Sequence, residues 1–157
     1  MRMFIPEIGT KLVLSAPWEI LIRKENRNES VYDALAAACP AGELAAMLAE
    51  RDRLLDVLSG MQSQRFMPGF DQGLVDDTHA QAERAEALPL TLPVGTALTV
   101  DRIYIRKGVS AYSSLSFNLT RTSHPLLNRR GRKRFWVKLD EVNQMQFELA
   151  AIRQQAA

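Results

Sequence analysis

One cysteine, Cys39, stands in 157 residues. No internal disulfide can form, and the expected compartment is the reducing cytoplasm. Cys39 itself, after an Ala-rich run, reads as a small buried hydrophobe rather than a reactive thiol. Long apolar runs are missing too: none approaches the roughly 20 residues that a membrane-spanning helix needs, so no membrane partner is expected. Met1–Pro6 offers no apolar h-region and no small-residue cleavage site, so no secretory leader is expected. In that setting the sequons Asn28-Glu29-Ser30 and Asn118-Leu119-Thr120 are chance matches. Histidine is almost absent, with only His79 and His124. Asp76, Asp77 and His79 match no metal-ligand spacing and have no second cluster to complete a site. A helix start capped by Asp76 or Asp77 explains them better. His124, before Pro125, reads as a loop residue. Gly60, Gly69 and Gly73 are separated by bulky residues and spell no phosphate cradle. No cofactor, metal or catalytic residue is therefore expected. An enzyme, in the form of a small hydrolase, is the third choice among function classes.

The most informative absence is of acid. From Arg102 to Lys138 there are ten Lys and Arg and no Asp or Glu, while the rest of the chain holds ten basic and 18 acidic residues. A net charge of +2 thus conceals a chain divided by sign, which can become a one-sided field after folding. Alternatively, acidic helices fold against the basic strands and neutralise them.

What is present reads as one domain, 1–157: strand-rich parts at 8–24 and 94–139, and a helical insertion at about 28–90. Leu12 and Leu14 alternate, as do Trp18, Ile20 and Ile22, with Pro17 between them. That spacing predicts strand, bend, strand. Asn28 or Ser30 can cap a short helix over about 30–38. Pro40 and Gly42 end it. A longer helix follows over 43–58, with Leu44, Leu48, Arg51, Leu55 and Leu58 on one stripe and Met47 and Leu54 beside it. The stripe is too short for a confident coiled-coil dimer seam. Residues 60–92 are poorly periodic. Residues 60–73 read as a packed loop or a mobile flap in which Met61, Phe66, Met67 and Phe70 anchor to the core, with closure over a pocket as the alternative, and "VDDTHAQAERAEAL" reads as a short polar helix.

In the second strand-rich part, Leu98 and Val100 share one parity, and Ile103 and Ile105 the other. The phase change predicts a β-bulge near Asp101–Arg102. Leu115, Phe117 and Leu119 alternate, and so do Phe135, Val137 and Leu139. Val142, Met145, Leu149 and Ile152 share a helical stripe, which predicts a C-terminal helix capped by Asp140, with a last strand as the alternative for its first part. An internal echo links the two parts. Ile8–Leu14 resembles Val94–Val100, and Ile20–Lys24 resembles Ile103–Lys107, with three residues fewer between them. Duplication and two similar strand corners are both open readings. The expected fold is α+β: a small curved antiparallel sheet or partly open barrel of five to six strands carrying a helical insertion.

The stretches "IGTKLVL", "PWEI", "RNES", "LPVGTALTVDRIYIRKG", "SSLSF" and "RFWVKLDEVN" resemble a group of small uncharacterised proteins of phages and bacterial mobile elements. The resemblance covers both strand-rich parts and not residues 40–90. It implies an origin and carries no activity.

The candidate binding residues are basic and aromatic. Arg121, Arg129, Arg130, Arg132 and Lys133 occupy the connection between two expected strands, where Gly131 lets the tip bend. Arg134 and Lys138 lie on the strand that follows. With Phe135, Val137 and Leu139 facing the core, Trp136 falls on the outer face between Arg134 and Lys138. There it can stack on a base while the cations hold phosphates. Tyr104 and Tyr112 can join that face, and Arg106 and Lys107 add charge. The alternative is a Trp136 shielded by arginine stems and packed on the insertion. Nucleic-acid binding is the leading expectation, with a slight preference for single strands. The second is a protein–protein adaptor or inhibitor of a host factor. It would use the 43–58 helix and the 60–73 loop, with Met61, Phe66, Met67 and Phe70 in contact and the basic tip against an acidic protein surface.

Overall fold

A computed structural model describes residues 6–105 and 113–149. The described residues form strands β1 (Lys11–Leu14) and β2 (Trp18–Ile22), then helices α1 (Glu29–Ala38), α2 (Ala41–Ser63) and α3 (Gln72–Glu86). Strands β3 (Leu88–Leu92), β4 (Ala97–Tyr104), β5 (Ser114–Arg121) and β6 (Lys133–Lys138) follow, then a one-turn helix α4 (Leu139–Val142) and strand β7 (Phe147–Leu149). Five strands make an antiparallel sheet in the order β6-β5-β4-β1-β7, and β2 pairs with β3 in a second sheet. The larger sheet does not close on itself. The fold is α+β, as expected, with seven strands among the described residues.

Alternation dictates the core. Leu12, Leu14, Leu98, Val100, Leu115, Phe117, Phe135 and Val137 point to one face of the larger sheet and are all at most 1% exposed. Trp18 from β2 fills the space above them, edge-on to Phe117 at 5.7 Å and tilted against Phe135 at 6.4 Å. Leu88, Leu90 and Leu92 of β3 and Val31, Tyr32 and Leu35 of α1 complete the same cluster. β3 lies in a stretch read as irregular. Its Pro89 is exposed and Leu88, Leu90 and Leu92 are buried, a pattern that a strand with a free edge tolerates.

The internal echo has a geometric counterpart. Gly9 and Gly95 both adopt positive φ, 86° and 82°, closing turns in which Thr10 N–H donates to Glu7 and Thr96 N–H to Pro93. Glycine enters that region without steric cost. Gly9 N–H donates to Val100 O (2.7 Å) and Gly95 N–H to Leu14 O (2.8 Å). Leu12 pairs with Leu98 at the centre. The two segments are related by a local two-fold axis through that pair.

Two helical expectations shift. α2 runs to Ser63, well past residue 58. Its inward stripe is Met47, Arg51, Leu54, Leu58 and Met61, while Leu55 is 43% exposed. The spacing of four, three, four and three makes a coiled-coil-like seam, and the seam faces α3, where Val75, Thr78 and Ala82 are buried. The helix α3 starts at Gln72, capped by Asp71, whose carboxylate accepts from Leu74 N–H (3.3 Å), and not by Asp76 or Asp77. The expected C-terminal helix reduces to the single turn of α4, after which β7 pairs with β1. Ile152 lies outside the described residues.

Glu141 on α4 ties the two sheets together. Its carboxylate accepts from Leu21 N–H (2.9 Å), Arg23 Nη1 (3.1 Å) and Lys138 N–H (3.2 Å), and its carbonyl accepts from Trp18 Nε1 (2.9 Å). Asn28, fully buried, does not cap α1 with its side chain. It donates to Arg23 O (3.0 Å) and accepts from Trp136 N–H (2.7 Å), which covers the edge of β6. No helix among the described residues is long and apolar enough to cross a membrane.

Candidate nucleic-acid interface

The bulge sits where the phase change predicts it. Val100 pairs with Phe117 and Arg102 with Ser116, which leaves Asp101 as the extra residue. A bulge turns two successive side chains toward the same side. Here Asp101 and Arg102 both face away from the core. Asp101 lies beneath the start of β6, with Arg134 Nε at 2.9 Å and Arg132 Nη2 at 3.6 Å. Asn118 Nδ2 donates to Asp101 (3.3 Å), and Arg132 Nε donates to the Asn118 carbonyl (3.3 Å). This network fixes the base of the 122–132 connection, whose tip bends at Gly131 with φ 127°.

Beyond that base most of the described cations of the stretch have no ion pair among the described residues. Eight Lys and Arg between Arg102 and Lys138 are described. Arg132 and Arg134 share Asp101, Lys138 meets Glu83 of α3 at 3.1 Å, and Arg102, Arg121, Arg129, Arg130 and Lys133 have no ion pair among the described residues. Residues 29–86 carry eleven carboxylates against four cations, yet Lys138–Glu83 is the one ion pair, among those described, between them and the basic stretch. The insertion keeps its charge largely apart, with pairs such as Arg51–Glu86 and Arg53–Glu50 formed within it. Charge divided along the sequence therefore remains divided in space. Arg121, Arg129, Arg130, Arg132 and Lys133 gather at one end of the sheet, where β5 ends and β6 begins. Arg106, Lys107 and Tyr112 lie outside the described residues.

Trp136 corrects the expected stacking platform. It is on the outer face, opposite Ser116, but only 8% exposed. The guanidinium of Arg23 covers its ring at 5.4 Å and that of Arg27 at 4.8 Å. Both come from the segment after β2, held down by Asn28. A base cannot stack there without displacing them, so the reason for favouring single strands is gone. Tyr104 remains 58% exposed. It lines a cleft of about 640 Å³ between α3 and the sheet, together with Arg27, His79, Glu83, Trp136 and Lys138. The mixed charges of that cleft set it apart from the basic end.

The residues of the protein-contact alternative separate. Phe66 is 94% and Met67 63% exposed at the turn between α2 and α3. Met61 enters the seam against Thr78, and Phe70 lines a shallow groove with Arg65 and Val75. His124 is a loop residue, as expected. Its Nδ1 accepts from Leu126 N–H (3.2 Å), and burial pushes its pKa below the ordinary histidine value. Cys39 is half-buried at the end of α1. Among the described residues no group of three or more His, Cys, Asp and Glu is placed to hold a metal ion.

The sequence reading passed over two cations. Lys11 and Arg102 are exposed on the outer sheet face. The parity of Leu12 and Leu14 places Lys11 there, and the phase change at the bulge turns Arg102 outward. Both signals were present, but Lys11 belongs to no charge cluster in the chain, and Arg102, the first cation of the acid-free stretch, stands apart from the cluster at 129–134. Comparison with family models, with curated proteins and with solved structures finds no match to this chain.

Proposed function

We propose that this chain is an accessory nucleic-acid-binding module of a phage or mobile element, binding by phosphate contacts from the basic end of its larger sheet. The observation that carries the reading is the set of five cations without ion pairs among the described residues, four of them (Arg121, Arg129, Arg130 and Lys133) gathered at that end, while the acidic insertion pairs mostly within itself. Arg132 and Arg134, positioned by Asp101, complete the set. Affinity of this kind comes from counterion release and is sequence-independent. Engagement of about four to six phosphates gives a log–log salt slope of about −3 to −5. Fluorescence anisotropy with labelled oligonucleotides across a salt series tests this. The double variant Arg129→Ala/Arg130→Ala is expected to bind more weakly and to flatten the slope by about 2. Unchanged affinity and slope would remove the basic end from the account.

A second reading is an adaptor or inhibitor that docks on a host protein through the α2–α3 turn. The near-complete exposure of Phe66, with Met67 beside it, favours it. Capture of one host protein that survives nuclease treatment and is lost in Phe66→Ser/Met67→Ser would decide for it.

A further inference from the structure

We infer that the nucleic acid is a duplex, and that it lies across the outer face of the larger sheet with one backbone at the basic end and the other at Lys11 on β1. The inference rests on the nucleic-acid reading and gives it a path and a form of ligand. One row of paired residues runs across four strands. Lys11 pairs with Thr99, Thr99 with Asn118, and Asn118 with Arg134. The row begins and ends in a cation and has a hydroxyl and an amide between. The Thr99 and Thr120 hydroxyls lie 3.3 Å apart beside it. Past the bulge Arg102 adds a further exposed cation to the same face.

Lys11 has no ion pair among the described residues. Among the described residues, two carboxylates on the sheet's own strands share the face. Asp101 is committed to Arg132 and Arg134, and Glu148 sits on β7, one strand beyond Lys11 and opposite Val13. The insertion covers only the other end, where Glu83 meets Lys138 and Arg27 covers Trp136.

Two physical points choose the duplex. A single strand is held by stacking its bases on aromatic rings between cations; this row holds no ring, and the one exposed ring on the face among the described residues, Tyr104, lies beyond Arg102 in the cleft of mixed charge. A duplex keeps its bases stacked within itself and presents phosphates outward, so a face of separated cations with small polar side chains between them meets what it displays. The spacing also fits. Three strand separations put Lys11 and Arg134 about 14 Å apart, comparable with the roughly 12 Å width of a major groove. Cations on the two borders can then each reach one of the two backbones.

The test is anisotropy titration of the full chain against a labelled duplex DNA and one of its strands, in a salt series. Lys11→Ala and Arg102→Ala are compared with the wild type and with Lys24→Ala. Lys24 is an exposed lysine that follows β2, outside the larger sheet. All variants are checked for unchanged thermal unfolding. Duplex is expected to bind at least tenfold tighter than single strand. Lys11→Ala is expected to weaken duplex binding several-fold and to lower the salt slope by about 0.9, one phosphate contact, while Lys24→Ala changes neither. Binding that is lost in Arg129→Ala/Arg130→Ala but indifferent to Lys11→Ala overturns the path across the sheet and leaves the basic end intact. Equal or tighter binding of the single strand overturns the duplex. No binding of either oligonucleotide by the wild type overturns the nucleic-acid reading and this inference with it.

Discussion

Replacing Glu141 by alanine should remove the polar side-chain part of the joint between the two sheets. The carboxylate satisfies three donors at 2.9, 3.1 and 3.2 Å: Leu21 N–H, the Arg23 guanidinium and Lys138 N–H. Arg23 is 8% exposed, so truncation leaves a buried cation without its partner. Breaking a buried pair in this way costs about 3–5 kcal/mol. The Glu141 side chain is 18% exposed, which places the loss near 3 kcal/mol on that scale. The two backbone N–H groups, part-buried, add about 1 kcal/mol each if water does not reach them. The contributions share one carboxylate and do not sum freely, so a total of about 4 kcal/mol is expected. In a chain of this size that corresponds to a fall in Tm of roughly 8–16 °C. Urea unfolding followed by tryptophan fluorescence measures it directly, because Trp18 donates to the Glu141 carbonyl. Glu141→Gln, which keeps an acceptor for Leu21 and loses the charge facing Arg23, should fall between. A double-mutant cycle with Arg23→Ala should return a coupling above about 1 kcal/mol. Should Glu141→Ala cost less than about 1 kcal/mol, the carboxylate contributes nothing to joining the two sheets and the reasoning fails.

Two further outcomes follow from the same geometry. Trp136→Phe should leave oligonucleotide affinity unchanged within about twofold and alter stability by less than about 1.5 kcal/mol. The ring is closed off beneath Arg23 and Arg27, and its buried Nε1 has no acceptor among the described residues, so a smaller ring loses packing but removes an unsatisfied donor. A marked loss of single-strand binding in this variant would restore the stacking platform. His124 is neutral by preference in the fold, since burial lowers its pKa from 6.5. The unfolded chain then takes up the proton more readily, so its contribution to stability is complete above about pH 6.5 and is lost as pH falls toward the folded-state pKa. His124→Asn, which can still accept from Leu126 N–H, should flatten that part of the stability–pH curve. An unaltered curve would show that His124 titrates alike in both states.

Alternation carried most of the fold. Leu12, Leu98, Phe117, Phe135 and Val137 face inward as their spacing predicts, and the change of parity after Val100 marks the bulge. The elements misjudged are those decided by distant partners. Leu88, Leu90 and Leu92 alternate too, but Pro89 and Pro93 argue against a strand until β3 is known to pair on one side only, with β2. The choice between Leu54 and Leu55 on α2 depends on whether the helix meets the sheet or α3, because a 3.5-residue seam and a 3.6-residue face diverge within a few turns. Trp136 falls on the outer face, as its parity requires. Its burial comes from Asn28 and two arginines more than 100 residues earlier, and nothing local to "RFWVK" announces them. In the candidate interface the cluster at 129–134 was legible. Lys11 was not, since only strand pairing brings it into line with Arg134.

The reciprocal turns at Gly9 and Gly95 have a consequence for folding. β1 and β4 each supply the acceptor for the turn that opens the other, so neither arm is complete until the 82 residues between them have been looped out. Everything between the arms, the α2–α3 hairpin included, acts toward this junction as a tether. Tether length enters only logarithmically, with each doubling costing about 0.6 kcal/mol. The hairpin can therefore be lengthened or shortened from its turn inward by whole heptads without the sheet registering the change, while a side chain on either of those two glycines would be felt by both arms at once.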